Sequence, residues 1–144
     1  MTQMSPIAED WLKQGRGLAL PSEVSAGFDR YLDGLPWLGM GLDWSKMPRS
    51  EVINIAKSDE QKLLAWAKQT RVGAHGHIAV FYSLEEGGLV VPLEVGLVSL
   101  DELYWGTPGI RFAFGVDLDQ GAIKAAFADL LQYGSGDKLI AVGA

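Results

Sequence analysis

The chain is expected to form one α+β domain over residues 1–144. Its core would be a small antiparallel sheet of three to four strands with a central hairpin at about 77–95. Around it would pack N-terminal helices, a helix at about 59–71 and a C-terminal helix at about 118–132. Three observations lead there. Apolar residues recur at helical spacing in the first third of the chain. The period switches to two around a Gly-containing turn near the middle. A helical stripe then returns after residue 117. Such helices bury their stripes on the apolar face of the strands. A length of 144 residues fits a single domain, and 48% apolar against 21% charged residues is an ordinary globular balance.

The first stretch, SPIAEDWLKQG, offers Ser5 as N-cap, Pro6 at the first helical position and Gly15 as a stop. The second, LPSEVSAGFDRYLDG, runs from Pro21 to Gly34 with Val24, Phe28, Tyr31 and Leu32 on one face. Its Gly27 weakens that helix by up to about 1 kcal/mol relative to alanine. Residues 34–50 are broken by glycine and proline yet carry Leu35, Trp37, Leu38, Met40, Leu42, Trp44 and Met47. So apolar a loop must cover the core or meet a partner. Residues 50–57 fit a short strand or a helical turn equally.

In SDEQKLLAWAKQTRVG, Ser58 and Gln61 have capping-box spacing, Leu63, Trp66 and Ala67 follow the repeat, and Gly73 ends the helix. Ile78, Val80, Tyr82 and Leu84 then alternate with His77, Ala79, Phe81 and Ser83. With EEGG as the loop, Leu84 would pair with Leu89 and Ile78 with Val95, the two apolar sets sharing one face. Pro92 fits an edge or a strand end. Ser99 opens a short capped turn, and Ile110, Phe112, Phe114 and Val116 mark a third strand. Asp117 and Gln120 then suit the start of a helix whose stripe is Ile123, Ala126, Phe127, Leu130 and Leu131. The closing KLIAVGA reads as a fourth short strand.

The chain has no cysteine, which excludes disulfides, thiolate zinc sites and a cysteine nucleophile. The N-terminal residues have neither the basic nor the apolar region of a secretory signal, and no apolar run is long enough to span a bilayer. A cytoplasmic location is expected. The net charge of −6 is carried by the second half, where residues 72–144 hold nine acidic side chains against Arg111, Lys124 and Lys138. That balance disfavours nucleic acid, which requires clustered lysine and arginine. It favours a basic protein partner.

No nucleophile, dinucleotide or EF-hand motif is complete, and no cofactor is expected. His75 and His77, the only histidines, lie two residues apart. With Glu94 on the same hairpin face they would supply two imidazoles and a carboxylate. A metal site needs a more complete ligand set, so none is assigned. Trp37, Trp44 and Trp105 stand out because all three lie in Gly/Pro-punctuated segments, beside Met40, Asp43, Asp101 and Glu102. Tryptophan and methionine are enriched at interfaces. Those seven residues are the expected partner-binding patch.

The leading functional expectation is therefore a non-enzymatic acidic protein-binding domain, most concretely an immunity or inhibitor protein that neutralises a basic partner such as a bacterial toxin. The alternative is a ligand-binding or enzymatic domain with a pocket near His75, His77, Glu94 and Arg111. A homodimer built on the hairpin edge is a third arrangement.

Overall fold

The computed structural model describes residues 4–107, 109–134 and 137–144. The chain runs α1 (Pro6–Lys13), β1 (Leu18–Ala19), α2 (Ser22–Asp33), β2 (Trp37–Leu38), β3 (Gly41–Leu42) and β4 (Ser50–Asn54). It continues with α3 (Glu60–Ala67), β5 (His77–Ser83), β6 (Gly87–Pro92), α4 (Leu93–Val98), α5 (Leu100–Leu103), β7 (Arg111–Asp119), β8 (Ala122–Gly134) and β9 (Lys138–Val142). Seven strands form one antiparallel sheet in the order β1-β6-β5-β7-β8-β9-β4, and β2 and β3 form a small ribbon.

Both faces of the sheet are covered. Ile78, Val80, Tyr82, Leu89, Val91, Ala113, Leu131 and Leu139 pack with α1, α3, α4 and α5. Ala79, Phe81, Val90, Phe112, Phe114, Val116 and Leu130 face α2 and the β2–β3 ribbon. Phe28 of α2 is fully buried there, 4.3 Å from Phe114 and 5.2 Å from Phe81 between ring centroids. The alternation over 77–83 therefore separates two buried sets, as expected for a central strand.

The fold differs from the sequence expectation in two main respects. The sheet has seven strands where three to four were expected, and residues 118–132, expected as a C-terminal helix, are the end of β7, a turn and most of β8. The physical reason begins at Gln120 and Gly121. Both have positive φ, 53° and 84°, and they close a two-residue turn that pairs Asp119 with Ala122. Beyond it, Leu130 and Leu131 are both fully buried, one in each apolar cluster. A helix would put them on one face. Tertiary burial on two sides overrides the helix propensity of an Ala- and Leu-rich segment.

The hairpin itself is present, but its register differs. Ser83 pairs with Gly87 and Ile78 with Val91, with an irregularity between Phe81 and Ser83. Pro92 pairs with His77 and ends the strand, so Glu94 falls in the first turn of α4, off the hairpin face. Nor is the hairpin an edge: β5 is central and β6 is flanked by β1, which removes the expected basis for pairing through it. At α3 the cap is Asp59, accepting from the Lys62 N–H at 2.8 Å, while the Ser58 hydroxyl donates to the Asn54 carbonyl. Residues 50–57 resolve into strand β4 and a 3-10 turn.

Candidate functional site

The short helix α5 leads into Trp105, the most exposed of the large apolar side chains among the described residues. Leu100 and Leu103 are buried on its inner side. The Tyr82 hydroxyl donates to the Leu103 carbonyl at 2.9 Å, and the Tyr104 hydroxyl donates to the Phe112 carbonyl at 2.8 Å. Burial holds both phenols well above their ordinary pKa, so they remain donors. With Leu103 and Tyr104 fixed inward, the next residue turns outward: Trp105 is 79% exposed. Gly106, at φ 75°, bends the chain away immediately after it.

Trp105 stands between two recesses. One, of about 470 Å³, is lined by Asp10, Asp101 and Glu102 together with Ile7, Trp11 and Gln14. The other, of about 480 Å³, is lined by Asp101, Asp137, Tyr104 and Tyr133. Neither lining contains a lysine or arginine, and the Arg16 guanidinium, stacked on Trp11 and bonded to Gln14, stands at the edge of the first without forming an ion pair with its carboxylates. The Tyr133 hydroxyl donates to Asp101, and burial together with that carboxylate pushes the Tyr133 pKa up. Asp101 is thereby oriented, while Glu102 remains exposed.

The other sequence-predicted residues divide into two groups. Met40 (75% exposed) and Leu38 (71%) sit at the tip of the β2–β3 ribbon, with Trp37 at its base. The Met40 methyl lies 3.8 Å from where a Cβ on Gly109 would stand, so the ribbon tip meets the segment that leaves Trp105. Trp37 is tied down by donation to the Leu32 carbonyl at 2.8 Å. Trp44 and Asp43 turn inward to structural tasks. The Trp44 indole N–H donates to the buried Gln132 side-chain oxygen at 3.1 Å, which also accepts the Leu42 N–H at 2.9 Å. Asp43 caps the 3-10 turn by accepting from the Ser45 N–H and hydroxyl.

The four residues of the alternative pocket do not converge. Arg111 lines a recess beside Trp37 and Met40, and Glu94 is exposed on α4. His77 lines a different recess beside Arg16. His75 is held by two carboxylates that periodicity did not reveal. Its Nδ1 lies 2.7 Å from Asp117 Oδ2 and its Nε2 2.7 Å from Asp129 Oδ2. Asp117 also accepts the Gly76 N–H at 3.0 Å. The ring lies against Gly115, where any Cβ would overlap it. Asp129 reaches His75 because the β7–β8 register shifts between Phe114 and Gly115, leaving residues 127–129 without partners on β7.

Burial acts to lower the His75 pKa, but the hydrogen bonds and charges of Asp129 and Asp117 outweigh it and raise the value. The Gly76 N–H and then His75 hold Asp117 below its ordinary pKa. Both ring nitrogens are engaged by carboxylates, so His75 would have to break one of these contacts before it could ligate a metal or reach a substrate. Among the described residues, no three His, Asp or Glu side chains are arranged to hold a metal ion. No helix there is long and apolar enough to cross a membrane. No family model, curated protein or solved structure matches this chain.

Proposed function

We propose that this chain is a non-enzymatic, acidic protein-binding domain acting in the cytoplasm, and that its partner is a basic protein. In its most concrete form it is an immunity-type inhibitor that neutralises a basic toxin. The observation that carries the reading is Trp105, exposed on a rigid base between two recesses lined by carboxylates and free of lysine and arginine. An exposed indole on a backbone fixed by buried neighbours has the form of a binding anchor, because a tryptophan offers a large contact area with only two side-chain torsions to immobilise on docking. The carboxylates around it suit lysine or arginine side chains from the partner, whose cations can also stack on the indole. Leu38 and Met40 extend the apolar contact next to Gly109.

The test is affinity capture from lysate of the native host with the tagged protein and with its Trp105→Ala and Glu102→Lys variants. The expected result is one basic protein retained stoichiometrically by the parent, lost from Trp105→Ala, and captured more slowly at low salt by Glu102→Lys. Undiminished retention of the same proteins by Trp105→Ala, or retention of none by the parent, overturns the proposal.

A further inference from the structure

Beyond the end of α1, Arg16, Leu18, His77, Val90, Pro92 and Val95 line a recess of about 480 Å³ that the basic-partner reading does not use. Its volume falls within the range of small-molecule sites, about 300–1,000 Å³. Its chemistry is the reverse of the Trp105 surroundings, since no carboxylate lines it in a chain of net charge −6. Two of its walls, Leu18 at 48% and Val95 at 39%, are among the exposed large apolar side chains of the molecule.

The polar groups are set in place by their neighbours. The Arg16 guanidinium lies 3.7 Å from the ring centroid of Trp11, which is 1% exposed and therefore a fixed platform. One of its N–H groups donates to the Gln14 side chain at 3.3 Å. Among the described residues, no carboxylate forms an ion pair with it. Trp11 and Gln14 line the neighbouring recess beside Trp105, so Arg16 stands at the border of the two, and a guanidinium stacked there keeps donors free for a carboxylate in the recess it lines. His77 begins β5 opposite Pro92, where the hairpin ladder ends and the chain turns into α4. That end places the imidazole among the aliphatic walls.

We propose that this recess binds a small organic monocarboxylate. The carboxylate would sit on the Arg16 edge with His77 as a second polar contact, and a short aliphatic tail would lie against Leu18, Val90 and Val95. A single guanidinium matches one negative charge. A phosphate dianion would call for more donors than these walls offer and would meet the repulsion of an acidic protein.

The test uses hexanoate and its neutral counterpart hexanol, titrated separately into the isotopically labelled protein while backbone amide shifts are followed. Hexanoate is expected to give saturable shifts at Gly17, His77 and Val95, with hexanol much weaker. Arg16→Gln removes the guanidinium from an exposed position. It should weaken hexanoate by roughly tenfold or more, the size of a lost charge-assisted hydrogen bond. Val95→Asp should weaken it independently by placing a like charge in the wall, and the amide spectrum away from the recess reports whether each variant remains folded. Unsaturable or scattered shifts, equal response to hexanol, or hexanoate affinity unchanged in folded Arg16→Gln overturns the proposal.

Discussion

Two groups of carboxylates in this molecule do opposite things. Asp117 and Asp129 close on the two nitrogens of one partly buried imidazole. They tie the segment before β5 to β7 and β8. Asp10, Asp101, Glu102 and Asp137 surround an exposed indole, and none of them forms an ion pair among the described residues. The first group is neutralised inside the fold, whereas the second presents its charge to solvent. Net charge alone does not separate them. What separates them is whether a cation of the same chain is within reach, and that decides which acids hold the fold and which can meet a partner.

If that division is right, the two groups should fail differently. The largest effect is expected at Gly115. Alanine there puts a methyl where the His75 ring lies, so the ring must leave and both aspartates lose their partner. A loss of roughly 2–4 kcal/mol is expected, combining overpacking with broken charge-assisted hydrogen bonds. Urea denaturation measures it, and the surviving folded protein should still bind its partner. Next is Trp105→Ala. Stability should stay within about 0.5 kcal/mol, because the side chain is exposed. Affinity for the captured partner should fall by roughly 2 kcal/mol or more, the loss that defines an interface anchor. Calorimetry on the purified pair reads both quantities. A stability loss without an affinity loss would reverse the assignment of that surface.

The smaller effect on the His75 side is a pH dependence. A histidine whose folded pKa is raised stabilises the fold fully below its ordinary value of 6.5, and this contribution fades as pH rises through the raised value. An aspartate whose folded pKa is lowered contributes above its ordinary value of 3.8, and this fades as pH falls through the lowered one. The clasp is therefore strongest between about pH 4 and pH 6.5. Stability should decline on the alkaline side. His75→Gln should remove that decline. If urea midpoints of the parent and His75→Gln proteins run parallel from mild acid to alkaline pH, the clasp does not act as an ion pair.

Sequence reasoning reached these regions unequally, for physical reasons. The β5–β6 hairpin and α3 were legible because alternation and the 3.6-residue repeat are local signals. The β7–β8 hairpin was not, because Ile123, Ala126, Phe127, Leu130 and Leu131 fit a helical stripe as they stand. Its one local signal was Gly121 after Gln120, a pair suited to a tight turn. Asp129 could not be joined to His75 without that strand and its register shift. Trp37 and Trp44 looked equivalent in sequence, and only the position of Gln132, far along the chain, makes one of them an internal strut. Trp105, Asp101 and Glu102 were nameable together because they are neighbours in the chain, whereas Asp10 and Asp137 join them only through the fold.

The smallest expected effect is also the most discriminating test of the open acidic group. Asp101 has a second task, since it accepts the Tyr133 hydroxyl, and changing it disturbs local structure as well as charge. Glu102 is exposed and lines the recess beside Trp105 without such a bond. Its reversal to lysine isolates the field. Glu102→Lys should slow association with a basic partner by several-fold at low salt, about 1 kcal/mol, while leaving dissociation nearly unchanged. The difference should shrink as ionic strength shortens the range of the charge. Trp105→Ala should do the reverse, speeding dissociation with little dependence on salt. Stopped-flow mixing of each variant with the partner across a salt series separates the two. If Glu102→Lys instead changes dissociation at all salt concentrations, the carboxylate is a direct contact in a desolvated interface, and the steering field must come from Asp10 and Asp137.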